Sequence, residues 1–196
     1  TTELGFLDGD MFIISCQYDQ SQVTANSTSI PVTLLSTPLC IDPKNNEGLT
    51  QTKAEPTNPL YSLDKQQSSL VYYDKNTIVL TMPYWVKVTN SSVEDSELKK
   101  HSFVLSYDPT TMKDTDTKLK LYISHVVDDA GETVTRSNFT YAYRAYSIRD
   151  ALTVFNEKTG KLPKYLELTA KTNSSKDELK EESGETSVEY DYAFTE

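Results

Sequence analysis

The chain has 196 residues, a formal net charge of −10 at pH 7 and an isoelectric point near 4.7. Such an acidic surface repels nucleic acid and anionic lipid at long range, so the composition argues against both as partners. No stretch approaches the ~20 apolar residues of a membrane span, and six glycines provide no glycine-rich phosphate loop.

The first 66 residues predict a small β unit followed by a linker. Alternating residues indicate a first strand, and 30–35 and 39–41 indicate further extended segments. The alternating residues are Phe12, Ile14, Cys16 and Tyr18. From 42 to 63 three prolines stand among polar residues, which is typical of an irregular connection.

Two cysteines, Cys16 and Cys40, both fall in this N-terminal unit. In an exported protein they could close a stabilising disulfide. Alternatively, Cys16 lies on the same face as Phe12 and Ile14 and would be a small buried hydrophobic residue. The sequence leaves both readings open.

Residues 67–196 predict a β-sandwich of seven strands, because each strand has one apolar face and turns rather than helices separate most of them. The clearest strand is 78–88, where apolar and polar residues alternate. The predicted strands are 70–73, 78–88, 103–107, 119–127, 139–143, 165–171 and 188–195. In the strand 139–143, we expect Phe139, Tyr141 and Tyr143 to form the apolar face.

One segment breaks the β pattern. Ile148, Leu152 and Phe155 have helical spacing, and Ser147 and Asp150 have the spacing of a capping box. We therefore predict a short helical crossover between the two sheets near 147–155. The polar segment 173–185 predicts a long mobile loop before the last strand.

The search for chemistry predicts no catalytic, cofactor-binding or metal-binding residue, and therefore no enzyme. His101 and His125 are the only histidines, and neither has a partner at metal-ligand spacing. His125 lies on the apolar face of its strand, which predicts a hydrogen-bonded core histidine.

Acidic turns could supply oxygen ligands to calcium, but turn formation is the simpler role for them. These turns contain Asp8 and Asp10, Asp114 and Asp116, and Asp128, Asp129 and Glu132.

Aromatic residues are the remaining functional indication. Thirteen tyrosines and one tryptophan cannot all point into the core, so part of this aromatic surface should lie on the outer faces of the sheets. Exposed aromatic rings are typical of a protein interface or a carbohydrate platform. Cross-strand pairing would explain them without any ligand. The candidates are Tyr72, Tyr73, Tyr84, Trp85, Tyr122, Tyr143, Tyr146 and Tyr165.

The order of these elements resembles the C-terminal β-sandwich of NigD-like proteins. Three runs carry the resemblance: YYDKNTIVL at 72–80, KHSFVLSYDP at 100–109 and LKLYISHVV at 119–127. Segments 141–152 and 166–172 continue it, so the resemblance covers about two-thirds of the chain.

The resemblance implies an exported protein, usually a lipoprotein of Bacteroidetes bacteria, located in the periplasm or on the outer-membrane surface. It also implies a small OB-like N-terminal domain, for which this chain offers fewer strands than a complete barrel needs, ahead of an immunoglobulin-like sandwich, and a lipid-attachment cysteine upstream of Thr1. The resemblance supplies no catalytic residue.

Two functional hypotheses follow. The first is a non-catalytic cell-envelope protein that binds a protein or a glycan. The alternative is a structural pilus or adhesin subunit, in which a sandwich polymerises by accepting a strand. An exposed aromatic cluster would favour the first hypothesis, and an unpaired strand edge would favour the second.

Overall fold

The computed structural model describes residues 11–41, 47–179 and 185–194. The chain divides into two compact units, Thr1–Asn45 and Asn46–Glu196. The sequence predicts this boundary at 66–67, twenty-one residues further along. None of the helices in the described segments is long and apolar enough to cross a membrane.

The N-terminal unit is an irregular antiparallel hairpin. Strand β1 (Met11–Ile13) pairs with β4 (Leu39–Ile41), and β2 (Cys16–Gln17) pairs with β3 (Thr33–Leu34). One turn of 3₁₀ helix, Gln20–Gln22, follows β2. The described residues 11–41 therefore form two short ladders, and the predicted OB-like architecture is not seen among them.

Both cysteines are free thiols. Cys16 is opposite Leu34 in one ladder, whereas Cys40 is opposite Phe12 in the other. The register thus places the two cysteines in different strand pairs, and the disulfide reading of the sequence is wrong for this structure. Cys16 is half-buried and Cys40 is exposed.

Among its described residues, the second unit contains eight strands and two helices. The strands are β5 (Glu47–Gly48), β6 (Ser69–Asp74), β7 (Thr77–Val86), β8 (His101–Ser106), β9 (Lys118–Val127), β10 (Asn138–Ser147), β11 (Tyr165–Lys171) and β12 (Glu185–Asp191). They form two four-stranded sheets, with the order β5-β10-β7-β6 in the first sheet and β12-β11-β9-β8 in the second. The helices are α1 (Asp95–Leu98) and α2 (Arg149–Thr159).

The hydrophobic core lies between these two sheets, so the all-β sandwich architecture predicted from the sequence is confirmed. Alternate residues of β7 and β9 supply fully buried side chains, including Ile78, Leu80, Leu119 and Leu121. This alternation is the period-2 pattern that the sequence displays.

Helix α2 connects the two sheets. It begins after β10 in the first sheet, ends at Thr159, is capped by Gly160 with φ of +71°, and leads into β11 in the second sheet. A left-handed residue at this point favours glycine, which has no Cβ to clash. Because the chain returns through this crossover, β11 lies parallel to β9.

The segment 47–66 belongs to the sandwich rather than to a linker. Leu60 and Leu63 are almost fully buried in the core. Leu60 also forms β-bridges to Tyr84, near the end of β7, and to Thr172, which directly follows β11. Two apolar anchors and their backbone hydrogen bonds therefore outweigh the polar, proline-containing composition that predicted a linker.

The beginning of the predicted mobile loop is also anchored. The Asn173 side chain accepts a hydrogen bond from the backbone N–H of Ser175 and donates one to the carbonyl of Glu178. Asn173 is buried, at 8% exposure. Residues 180–184 of that prediction lie outside the described residues. The last strand ends at Asp191, before the predicted limit of 195.

Candidate functional site

Four aromatic residues on the outer side of the first sheet form a continuous surface, called here the aromatic ledge: Tyr61, Trp85, Phe139 and Tyr141. Trp85 and Phe139 are opposite each other on β7 and β10. Tyr61 stacks on Phe139 with ring centroids 4.2 Å apart, and it meets Trp85 edge-on at 5.0 Å. Phe139 in turn meets Tyr141 edge-on at 5.9 Å. The four rings therefore make one connected patch.

One aromatic ring of the ledge is buried, and two others are partly exposed to solvent. Trp85 is only 6% exposed, whereas Phe139 is 41% and Tyr141 40% exposed. The backbone N–H of Tyr61 donates to the carbonyl of Pro83 at 2.9 Å, which fixes Tyr61 against β7. The exposed rings are thus held by packed neighbours and are available without rearrangement.

The orientation of β10 corrects the sequence-based assignment of its faces. Ala142 and Tyr146 face the core, and Phe139 and Tyr141 face outward. The core side of the adjacent β7 carries the bulky Met82, which lies opposite Ala142. A small residue fits there because the space between the sheets is already filled. The sequence reading put the aromatic residues on the wrong face because it assumed that the larger apolar side chains are buried.

A polar pocket of about 500 Å³ adjoins the ledge, and Tyr61 lines both. Its other lining residues are Ser62, Leu63, Asp64, Gln67, Thr172, Asn173, Ser174 and Thr186. At its edge, Asp64 accepts hydrogen bonds from the Ser62 hydroxyl and from the backbone N–H groups of Gln66 and Gln67. These bonds hold the pKa of Asp64 below its ordinary value, so the carboxylate is charged at neutral pH.

Ledge and pocket offer complementary chemistry side by side. Aromatic faces bind the C–H side of a sugar ring, and hydroxyl, amide and carboxylate groups bind its hydroxyls. The same combination suits the rim of a protein interface.

The other candidate tyrosines have structural roles in several cases. The Tyr146 hydroxyl donates to the carbonyl of Phe103 at 2.8 Å, and that of Tyr72 donates to the carbonyl of Asp191 at 2.9 Å. Tyr84 is buried among core residues. Tyr73 is 69% exposed at the end of β6. Sequence reasoning missed Tyr61, which it had placed in a linker.

A second cluster is buried at one end of the sandwich and contains both histidines. The Nδ1 atom of His125 lies 3.1 Å from the carbonyl oxygen of Pro59. Its Nε2 atom lies 2.9 Å from Nδ1 of His101, whose Nε2 lies 3.3 Å from Oε1 of Glu97. The expectation of a hydrogen-bonded core histidine is confirmed for His125. Their mutual contact was missed, because 24 residues separate them and only the β8–β9 pairing brings them together.

Arg136 extends this cluster to three carboxylates. Its guanidinium donates to Glu97 at 2.7 Å, to Asp129 at 2.7 and 2.9 Å, and to Asp177 at 3.3 Å. The Arg136 side chain is 1% exposed. Hydrogen bonds from Arg136 hold the pKa of Asp129 below its ordinary value. No pattern in the sequence predicts this buried network, because its charged residues are far apart along the chain.

The acidic turns fulfil turn roles where the structure describes them. Asp128 accepts from the backbone N–H of Ala130, and Asp116 accepts from that of Lys113. Asp129 is occupied by Arg136 and Lys100. Across the described segments, no group of three or more potential ligands is placed to hold a metal ion. Asp8 and Asp10 lie outside the described residues.

The fold and the site define an all-β sandwich with an aromatic ledge beside a polar pocket. No protein-family model and no curated protein matches the chain. The chain is similar in structure to "Putative lipoprotein" from Bacteroides fragilis NCTC 9343, with a TM-score of 0.74 and 29% identity over 97% of this chain and 85% of that one.

Two further solved structures share the fold. An uncharacterized protein from Parabacteroides merdae ATCC 43184 has a TM-score of 0.55 and 15% identity, over 96% of this chain and 84% of that one. A protein of unknown function, DUF1344, from Bacteroides vulgatus ATCC 8482 has a TM-score of 0.51 and 8% identity, over 95% of this chain and 72% of that one.

Proposed function

We propose that this chain is a non-catalytic protein of the bacterial cell envelope that binds a glycan at the aromatic ledge and the adjoining pocket. One observation carries the proposal: Phe139 and Tyr141 are about two-fifths exposed on the outer face of the first sheet, next to a polar pocket that shares Tyr61. Single exposed apolar residues need no explanation, but a connected aromatic patch indicates a binding surface.

The cellular location is proposed from the comparisons. The similar Bacteroides fragilis protein carries the name "Putative lipoprotein", and the likeness extends over 97% of this chain. We therefore propose export and attachment to the envelope by a lipid anchor, membership of the NigD-like family and an immunoglobulin-like type of sandwich. The net charge of −10 is consistent with a partner other than nucleic acid.

A glycan array tests the binding proposal. The wild-type chain and the double variant Phe139→Ala/Tyr141→Ala are applied to bacterial, plant and host oligosaccharides. We expect the wild type to be retained by a chemically related set of glycans and the double variant to lose that retention. Tyr73→Ala is the matched control, because Tyr73 is an exposed aromatic residue outside the ledge. Failure of the wild type to bind any glycan, or equal binding by the double variant, would count against the proposal.

A second function, that of a strand-accepting structural subunit, is favoured by the edge of β10. Among the described residues, β7 pairs with β10 along all ten residues, whereas on the other side β5 pairs only with Tyr146 and Ser147. The edge from Asn138 to Ala145 thus leaves backbone groups for an added strand. Sedimentation velocity over a hundredfold concentration range tests this: ordered oligomers are expected, and a monomer throughout would reject self-assembly.

A further inference from the structure

The two buried imidazoles lie in a row between two hydrogen-bond acceptors. At one end is the carbonyl oxygen of Pro59, 3.1 Å from Nδ1 of His125, and at the other is Oε1 of Glu97, 3.3 Å from Nε2 of His101. The two rings face each other through His101 Nδ1 and His125 Nε2, 2.9 Å apart. Three contacts therefore connect Pro59 to Glu97.

Neither end of this row can supply a hydrogen. A carbonyl oxygen only accepts, and Glu97 Oε1 already accepts from the guanidinium of Arg136 and from the backbone N–H of Lys87. Both end contacts thus need an N–H on the imidazole side, at His125 Nδ1 and His101 Nε2. The contact between the rings needs a third hydrogen. Two neutral imidazoles carry only two hydrogens, so one contact lacks its bond when both rings are neutral.

From this geometry we infer that His101 and His125 form a single proton-binding site, which takes up one proton shared by both rings and thereby completes the row from Pro59 to Glu97. The inference concerns a property of the fold and does not depend on what the aromatic ledge binds.

The charged groups around the histidine pair carry one more negative than positive charge, which favours the uptake of one proton. Three carboxylates meet at the cluster, from Glu97 on α1, Asp129 after β9 and Asp177 after β11. Among the described residues, two cations form ion pairs with these carboxylates, Arg136 and Lys100. One positive charge on the histidine pair brings the cluster to neutrality.

Two aromatic rings and a more distant cation complete the surroundings of the pair. Phe103 stacks on His125 at 4.9 Å, and Tyr84 lies 4.8 Å from His101. An aromatic face stabilises a cation placed over it. Arg144 lies over Phe103, with 5.3 Å between its guanidinium carbon and the ring centroid. Burial lowers the pKa of both imidazoles, whereas completion of the row favours the added proton, so the pair takes up its proton below the ordinary imidazole pKa of 6.5.

A short stretch of backbone, from Pro59 to Tyr61, connects the histidine pair to the aromatic ledge. The His125 contact fixes Pro59, and Tyr61 follows two residues later, between Phe139 and Trp85. The backbone N–H groups of Thr57 and Asn58 also donate to the carbonyl of His125, so the segment stays attached when the row is incomplete. The segment that carries Tyr61 is therefore attached to His125 with and without the added proton.

Nitrogen chemical shifts of the imidazoles test the inference directly. We expect both rings of the wild-type chain to respond together between pH 7.5 and 4.5, with one midpoint below 6.5 and one proton in total. Trp85 is the only tryptophan and touches Tyr61, so its fluorescence should change with the same midpoint. Separate midpoints for the two rings, or unfolding before either ring titrates, would overturn the inference.

Two variants separate the shared proton from the fold. In His125→Asn the amide can still donate to Pro59, and in His101→Gln the amide can still donate to Glu97, but neither amide can take a proton. We expect either variant to remain folded and to shift the midpoint of the remaining histidine by about one pH unit or more, a tenfold change in proton affinity. An unchanged midpoint in both variants would show that the rings titrate independently and would reject the shared site.

Discussion

The indole Nε1 of Trp85 donates a hydrogen bond to the backbone carbonyl of Asn173, with 2.8 Å between the two atoms. Trp85 forms the base of the aromatic ledge, and Asn173 lines the adjoining pocket. Because both residues are buried, this bond joins the two halves of the site through a rigid contact. The ledge and the pocket are therefore positioned by the same core.

Trp85→Phe removes this bond and leaves the carbonyl of Asn173 without its donor. An unsatisfied buried acceptor and the smaller ring should together lower the free energy of unfolding by about 2 kcal/mol. Urea denaturation measures the change. Tyr73→Phe, at an exposed site, is the control and should leave stability within about 0.5 kcal/mol. Equal stabilities of the two variants would show that the bond contributes little.

Arg136→Met should destabilise the fold strongly, because the guanidinium neutralises carboxylates that are themselves mostly buried. The side chains of Glu97 and Asp177 are 7% and 5% exposed. Removing one member of such a cluster typically costs about 3–5 kcal/mol. Arg149→Met makes the same substitution at an exposed position on α2 and should cost about 0.5 kcal/mol or less. A loss below about 1 kcal/mol for Arg136→Met would contradict the account of the cluster.

Acid should weaken the fold through the same cluster. Burial lowers the pKa of the histidine pair below 6.5, and Arg136 holds the pKa of Asp129 below 3.8. Both folded-state values lie below the unfolded ones, so the unfolded chain binds more protons as the pH falls. The stability contributed by these groups is complete above about pH 6.5 and is lost progressively as the pH falls through the folded-state pKa values.

Urea unfolding at pH 7.5, 5.5 and 4.5 measures this dependence, with 0.5 M salt to screen the long-range repulsion of the acidic surface. We expect the unfolding midpoint to fall at each step, and His125→Asn to flatten the decline between pH 6.5 and 4.5. A midpoint that stays constant over this range would mean that the buried histidine pair is not linked to folding.

Leu121→Asp tests the sandwich core. Leu121 is fully buried in the middle of β9, and a carboxylate there would be unpaired. We expect cooperative unfolding to disappear, because the cost approaches the entire stability of a domain. Lys120→Asp, one residue earlier on the exposed face, should change stability by about 0.5 kcal/mol or less. Retained cooperative unfolding in Leu121→Asp would refute the assigned strand faces.

The sandwich was predictable because its central strands carry a clear period-2 pattern. Leu119, Leu121 and Ile123 alternate with polar residues, and all three are buried. Segment 47–66 was not predictable, because Leu60 is held there by bridges to two distant strands. A local reading of the sequence shows prolines and polar residues but cannot show long-range pairing.

The functional site was only partly predictable. The sequence indicated that some aromatic side chains lie on the surface, but it assigned Phe139 and Tyr141 to the core. The pattern within one strand does not show that Met82, on the neighbouring strand, fills the space opposite Ala142. The histidine pair was hidden for a similar reason: His101 and His125 meet only because β8 and β9 are paired. Residues brought together by strand pairing carry no local signature.

Calorimetric titration with the oligosaccharide retained on the array tests the central claim most directly. Wild type, Phe139→Ala and Tyr73→Ala are compared under the same conditions. The account predicts at least a tenfold weaker affinity for Phe139→Ala, corresponding to about 1.4 kcal/mol, and an unchanged affinity for Tyr73→Ala. Equal affinities for all three proteins would contradict the assignment of the aromatic ledge as the binding surface.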